Sequence, residues 1–208
     1  MLRLLASAGL GYLAGALPTA DTAARLAGGG ATDLRLAGSG NPGAVNAMAV
    51  LGRRWGMAVL AADIAKGAAA SVVGRRLAGD TGAHVGGTAA VIGHCFPVWS
   101  GFRGGKGVAP SCGQCLATFP VYFPIDLVVA WAVATWRQHA LPATVVASSV
   151  WVAASTLWWR RGWPNAWGPR PTVALPAAAT VTSAVILSRF AAAARAAGTP
   201  PAAPSAAR

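Results

Sequence analysis

The sequence predicts an all-α integral membrane protein with about seven transmembrane helices, and three observations lead there. Of its 208 residues, 55% are apolar and only 11% are charged, and the mean hydropathy is +0.51. A chain of that make-up cannot keep its apolar runs in water, so lipid is its natural solvent. The apolar residues come as long stretches separated by short polar punctuation. Barrel-like alternation is missing, and isolated strands cannot satisfy their backbone polar groups in hydrocarbon, so the stretches read as helices.

In chain order the expected spans are 4–20, 55–74, 83–99, 107–119, 122–136, 141–159 and 172–188. The first, with Arg3 ahead of Leu4–Leu17 and the small residues Ala14-Gly15-Ala16, has the outline of a cleavable signal peptide. Its polar head is a single arginine, however, and the rest of the chain is membrane-like, so a retained first helix is expected. The second span carries Asp63 and Lys66, and the third ends in Gly93-His94-Cys95-Phe96-Pro97. Spans four and five are short. Pro120 and Pro124 mark either a turn between them or a kink in one long helix. Beyond the sixth span, Trp158, Trp159, Trp163 and Trp167 stand beside Arg160 and Arg161, the composition of an interfacial belt. Residues 1–190 form one expected polytopic domain without internal repeats, and 191–208 an Ala/Pro-rich tail expected to be disordered.

Seven spans put the chain ends on opposite sides, so basic residues can choose the orientation. The loops after spans one, three and five, with the C-terminus, hold Arg25, Arg35, Arg53, Arg54, Arg103, Lys106, Arg137, Arg189, Arg195 and Arg208. The other side holds Arg3, Arg75, Arg76, Arg160, Arg161 and Arg170. The excess favours an outside N-terminus and a cytoplasmic C-terminus. Both glycine-rich segments then share the cytoplasmic face.

Those segments are Gly38-Ser39-Gly40-Asn41-Pro42-Gly43-Ala44-Val45-Asn46 and Gly101-Phe102-Arg103-Gly104-Gly105-Lys106-Gly107. Glycines allow backbone N–H groups to converge on an anion, Ser39, Asn41 and Asn46 add side-chain donors, and Arg103 and Lys106 add charge. A helix expected to start near Asn46 would turn its positive end toward a phosphate. Each loop alone reads as a tight interhelical turn; two on one face point to a phosphorylated substrate. Neither is a nucleotide motif. The G-x-G-x-x-G at Gly38–Gly43 follows no strand, and Gly107 stands where a phosphate-binding P-loop needs Ser or Thr.

Asp63 and Lys66, at i and i+3, lie on one helix face at membrane depth, where ionisable groups are costly. Both a structural ion pair and a part in the site stay open. His94 near a helix end reads as a structural hydrogen-bonding group, and its nearness to Lys106 in sequence adds it to the site candidates. The net charge is +12, but the basic residues lie between apolar segments rather than along one face, so anionic lipid or a phosphorylated substrate is the expected partner and nucleic acid is not. Cys95, Cys112 and Cys115 lack the histidines or second pair of a zinc site and read as packing residues, so no metal is expected.

Taken together, Gly38-Ser39-Gly40-Asn41-Pro42-Gly43-Ala44 with Asn46, Asp63-x-x-Lys66-Gly67, and Gly93-His94-x-Phe96-Pro97 through Phe102-Arg103-Gly104-Gly105-Lys106-Gly107-Val108-Ala109 resemble the bacterial acyl-phosphate:glycerol-3-phosphate acyltransferases of the PlsY type. The likeness covers roughly residues 34–118; the rest matches only in its alternation of spans. It implies a seven-helix enzyme of the bacterial inner membrane, a monomer without cofactor. The enzyme would move a fatty acyl group from acyl phosphate to the 1-hydroxyl of glycerol 3-phosphate, giving lysophosphatidic acid. It further implies catalytic roles for Ser39, Lys106 and His94, and substrate phosphate binding by Gly38, Gly40, Asn41, Gly43, Asn46, Arg103, Gly104, Gly105 and Gly107. Asp63, Lys66, Arg53 and Arg54 would support them.

The chain departs from that family pattern in two places. Val45 stands where the pattern has threonine, and Ala49 where it has an arginine, one helical turn before Arg53 and Arg54. The third family motif is represented by Arg189-Phe190-Ala191 through Arg195-Ala196-Ala197-Gly198-Thr199, without its histidine, asparagine and glutamate. Two other functions are therefore weighed beside the enzyme. One is a catalytically weakened relative that binds a phosphorylated lipid precursor. The other is a transporter of a phosphorylated solute, which should carry more charge at the membrane midplane than Asp63 and Lys66.

Overall fold

The structure is a computed structural model that describes residues 1–28, 32–128 and 140–198. Regular structure among the described residues is helical throughout. The helices are α1 (Leu2–Ala16), α2 (Thr19–Gly28), α3 (Ala44–Leu51), α4 (Arg53–Cys95), α5 (Val108–Thr118), α6 (Ala140–Arg161) and α7 (Ala174–Gly198), with a 3₁₀ turn at Val98–Ser100 and helical residues at 123–128. Three of the described helical segments are long and apolar enough to cross a bilayer: Arg53–Ser100, Leu141–Arg161 and Ala174–Ala196.

The longest element, α4, is a hairpin. Ala78 (φ −137°, ψ 25°) and Gly79 (φ 66°, ψ −157°) leave helical geometry, and the chain reverses there. A Cβ on Gly74 would strike the Gly82 carbonyl, one on Gly86 the Ala70 carbonyl, and one on Gly87 the Ser71 hydroxyl, so the two arms run antiparallel in close contact. Glycine suits position 79 because its φ is in the left-handed region. These arms are the expected spans 55–74 and 83–99; the second stops at Cys95 because Pro97 cannot continue a helix.

The expected first span, 4–20, is shorter than the sequence suggested. Pro18 holds Leu17 in an extended conformation (ψ 129°), α1 ends at Ala16, and a new amphipathic helix, α2, begins at Thr19. Helix α1 packs parallel to the second arm through Gly11 against Gly86, Gly15 against Ala90, and Gly93 against Tyr12. Helix α7 also runs beside the second arm. There Gln114, Thr88 and Thr182 close a small polar network: Gln114 Nε2 donates to Thr88 Oγ1 at 3.1 Å, and Thr182 Oγ1 donates to Gln114 Oε1 at 3.0 Å. The start expected near Asn46 is α3, which begins at Ala44. Helix α7 continues to Gly198, so residues 191–198 of the expected tail are helical, and 199–208 lie outside the described residues, as do Arg137 and His139.

Apolar packing falls into separate clusters: Cys115, Phe119, Tyr122, Trp151, Leu175 and Ala179 where α5, α6 and α7 meet, and Ala20, Ala23, Leu34, Ala47 and Val59 beneath α2 and α3. All three cysteines are free, and Cys95 and Cys115 are buried among apolar neighbours, in keeping with a packing role. The result is a bundle with its two glycine-rich loops at one end and the α4 hairpin tip at the other.

Candidate active site

Each of the two loops is tied to a helix end, the first to the start of α3 and the second to the end of α4. Loop 38–46 is organised by Asn46, buried at the start of α3. Its amide donates to the carbonyls of Leu34 (2.9 Å) and Ala37 (3.0 Å), and its oxygen accepts from the Ser39 N–H at 2.8 Å. Gly38, with φ +59°, is required there: a Cβ would run into the Asn46 oxygen. Loop 101–107 is sutured to the end of α4, since Gly104 N–H donates to the Cys95 carbonyl and Gly105 N–H to the His94 carbonyl. Gly107, φ +87°, then opens α5.

Asn46, a phosphate-binding candidate, has both amide hydrogens on the loop's own carbonyls and its oxygen on the Ser39 N–H. The N–H groups of Gly40, Gly43, Gly104 and Gly105 are likewise committed to carbonyls of Ala37, Asn41, Cys95 and His94. These glycines make room rather than donate. A Cβ on Gly105 would collide with the His94 ring, and one on Gly104 with the His94 carbonyl.

Between the loops, the break at Leu17-Pro18 and the second arm lies a cleft lined in part by Thr19, Arg35, Pro42, Lys66, His94 and Gly105. Its floor is an ionic cluster. Lys66 Nζ lies 2.8 Å from Asp63 Oδ1, Thr19 Oγ1 donates to the same oxygen at 2.6 Å, and His94 Nδ1 faces it at 3.6 Å. Lys66 also donates to the Leu17 carbonyl at 3.4 Å. Asp63, Lys66 and His94 are all buried. Both readings left open for Asp63 and Lys66 therefore meet here: they pair with each other, and through His94 and Lys66 they form a wall of the cleft.

One wall is Arg35, a residue the sequence reading used only for topology. Its guanidinium grips Asp21 (2.6 and 3.2 Å), donates to Ser100 Oγ at 3.0 Å and, through Nε, to the Arg103 carbonyl at 3.0 Å. The Asp21 hydrogen bond raises the Arg35 pKa further above its ordinary value. One side chain thus fastens α2 and the stretch before the first loop to the second loop.

Beside the cleft stand Lys106 and Arg189. Arg189 donates to the carbonyls of Gly104 (2.8 Å) and Gly105 (3.2 Å) and lies over the Phe96 ring; Lys106 lies over Phe190. Neither has a carboxylate partner among the described residues. Partial burial and the charge of Arg189 push the Lys106 pKa down. Two neighbouring cations without a counter-charge form a place where an anion is favoured.

The remaining candidates are placed as follows. Ser39 and Arg103 are exposed at the loop rims, and Asn41 is half-buried beside Pro42. Arg53 and Arg54 are exposed at the start of α4 and are not among the residues that line the cleft. No group of three or more His, Cys, Asp or Glu side chains suited to a metal occurs among the described residues. Thr19, Asp21, Arg35 and Arg189 were not among the sequence candidates. The hint for the first two is the polar Thr19-Ala20-Asp21 stretch after Pro18, and for Arg189 its place in the third motif; Arg35 becomes visible only through partners distant in sequence.

A helical bundle with a buried ionic cluster under two glycine-rich loops, and two neighbouring cations beside it, is an integral membrane protein with an anion-favouring cleft. The chain belongs to the glycerol-3-phosphate acyltransferase family, whose profile matches residues 5–197. It is 38% identical over 167 residues to a glycerol-3-phosphate acyltransferase from Allorhizobium ampelinum, covering 78% of each chain. It is 43% identical over 152 residues to one from Jannaschia sp., covering 71% of this chain and 72% of the relative. The fold is also that of PlsY, an integral membrane glycerol 3-phosphate acyltransferase solved in a glycerol 3-phosphate form and a lysophosphatidic acid form. Against the first the TM-score is 0.75 at 29% identity, covering 92% of this chain and 90% of that one; against the second it is 0.74 at 27%.

Proposed function

We propose that this chain transfers a fatty acyl group to the 1-hydroxyl of glycerol 3-phosphate to give lysophosphatidic acid, with acyl phosphate as donor, in the bacterial plasma membrane. The observation that carries the reading is the pair of cations Lys106 and Arg189, without a carboxylate partner among the described residues, beside a cleft that both glycine loops, Lys66 and His94 enclose. Such a site draws two anions together, and acyl phosphate already carries its leaving group. The hydroxyl oxygen attacks the acyl carbonyl carbon, the bond from that carbon to the phosphate oxygen breaks, and inorganic phosphate leaves with the hydroxyl proton. In this reading Lys106 and Arg103 hold phosphate, Ser39 orients the reacting groups, and His94, backed by Asp63, positions the acceptor hydroxyl. Residues 1–190 form one domain that crosses the membrane seven times as a monomer. The N-terminus is outside, and the site and C-terminus are cytoplasmic.

Purified protein given palmitoyl phosphate and labelled glycerol 3-phosphate tests it. The expected result is labelled lysophosphatidic acid, lost in Ser39→Ala and Lys106→Ala. Saturable glycerol 3-phosphate binding without turnover would replace the enzyme with a phosphate-binding relative.

A further inference from the structure

The opposite end of the bundle holds a second concavity that the acyl-transfer reading does not use. It is a groove of about 420 Å³, within the size range of ligand sites. Ala68, Ser71, Val72, Arg75 and Arg76 on the first arm of α4 form one side, at the i, i+3, i+4 spacing of a single helix face. Ala83, Leu116 and Ala117 form the floor, and Trp167 closes it.

The Trp167 wall is fixed from two directions. Its indole Nε1 donates to the Leu116 carbonyl at 3.1 Å, and its own carbonyl accepts from Arg75 Nη1 at 2.7 Å. Arg75 is otherwise occupied with Asp80 (3.2 Å) and the Gly168 carbonyl (3.4 Å). Arg76 differs: it is exposed, lines the same groove, and has no hydrogen bond or ion pair among the described residues. The groove is thus apolar along its length and ends at an uncompensated guanidinium. The surrounding face repeats that charge. Arg160 and Arg161 end α6 and Arg170 lies in the α6–α7 connection, whose Trp167 and Gly168 carbonyls bind Arg75, and Asp80 is already engaged by Arg75 and by the Arg170 N–H.

We propose that this groove is a binding site for one anionic phospholipid, an acyl chain lying between the first arm, α5 and Trp167 with its phosphate on Arg76. An apolar trough ending at a guanidinium at an interfacial tryptophan fits a lipid chain and headgroup together. The site shares no lining residue with the catalytic cleft.

The test is native mass spectrometry of the full-length protein in mild detergent, incubated with phosphatidylglycerol or with phosphatidylcholine. The expected result is one retained phosphatidylglycerol, held at least tenfold more strongly than phosphatidylcholine. Arg76→Gln should lose that selectivity, and Ala117→Phe, which fills the trough, should lose the lipid altogether. Acyl transfer by Arg76→Gln in detergent should stay at the wild-type rate, which shows that the variant folds and separates this site from the catalytic reading. Equal retention of both lipids by wild type, or undiminished phosphatidylglycerol retention by both variants, overturns the proposal. So does an Ala117→Phe variant whose only change is a raised KM for palmitoyl phosphate, since the trough would then belong to the substrate's tail.

Discussion

Helix α4 carries two ion pairs, and they differ in everything but their chemistry. Near the cleft, Asp63 and Lys66 face each other at 2.8 Å with side chains 1% and 6% exposed. At the hairpin tip, Arg75 and Asp80 meet at 3.2 Å with 43% and 31% exposed. The tip pair sits where water or headgroups can solvate either charge alone, so it contributes little. The inner pair cannot be separated without stranding a charge in a medium that will not solvate it, which is why Thr19, His94 and the Leu17 carbonyl crowd around it. Burial turns an ordinary pair into a constraint that fixes three segments of chain at the cleft.

The comparison breaks most visibly at the inner pair. Asp63→Ala or Lys66→Ala should each cost about 3–5 kcal/mol, read as a lowered melting temperature in detergent, while Asp63→Asn with Lys66→Met should recover much of that loss because no lone charge remains. Gly105→Ala comes next. The new methyl displaces the His94 ring, and a shift of that kind should lower kcat/KM about 100-fold with a much smaller effect on unfolding.

Arg35→Lys keeps a charge but loses the fork that holds Asp21 and the second loop; an approximately tenfold loss in kcat/KM is expected, from about 1.5 kcal/mol for charged hydrogen bonds. A pH profile sharpens the picture. Lys106 is cationic below its pKa, and that pKa is depressed, so its charge disappears on raising the pH sooner than an ordinary lysine's would. The alkaline limb of kcat/KM should reflect this, and Lys106→Arg should push that limb to higher pH. The smallest effect belongs to the tip: Arg75→Gln or Asp80→Asn should shift stability by about 1 kcal/mol or less by the same melting assay.

Much of this was legible in the sequence because it is local. The break between the spans 55–74 and 83–99, the start of α3 and the tight loops follow from glycine, proline and apolar run length. The i, i+3 spacing of Asp63 and Lys66 put both on one helix face, which is what their pairing requires. What escaped depends on chain segments meeting. Asn46 reads as a free donor until the carbonyls of Leu34 and Ala37 are seen to fold back onto it. Arg35 reads as a topological charge until Ser100 and Arg103, more than sixty residues away, arrive beside it. The break after Ala16 was signalled by Pro18 alone, and the apolar run across it masked the signal.

The brevity of α1 has a consequence for traffic through the site. Fifteen residues reach only about 22 Å, against roughly 30 Å of hydrocarbon. In the proposed seven-span arrangement its end, where Leu17 and Thr19 meet Lys66 and Asp63, would lie below the headgroup plane, and the bilayer would thin or dimple to meet it. A greasy donor would reach such a basin by sliding sideways within its own leaflet, while a small water-soluble acceptor would descend from above. The two reactants would then approach along perpendicular routes, and neither would have to leave its preferred medium before they meet.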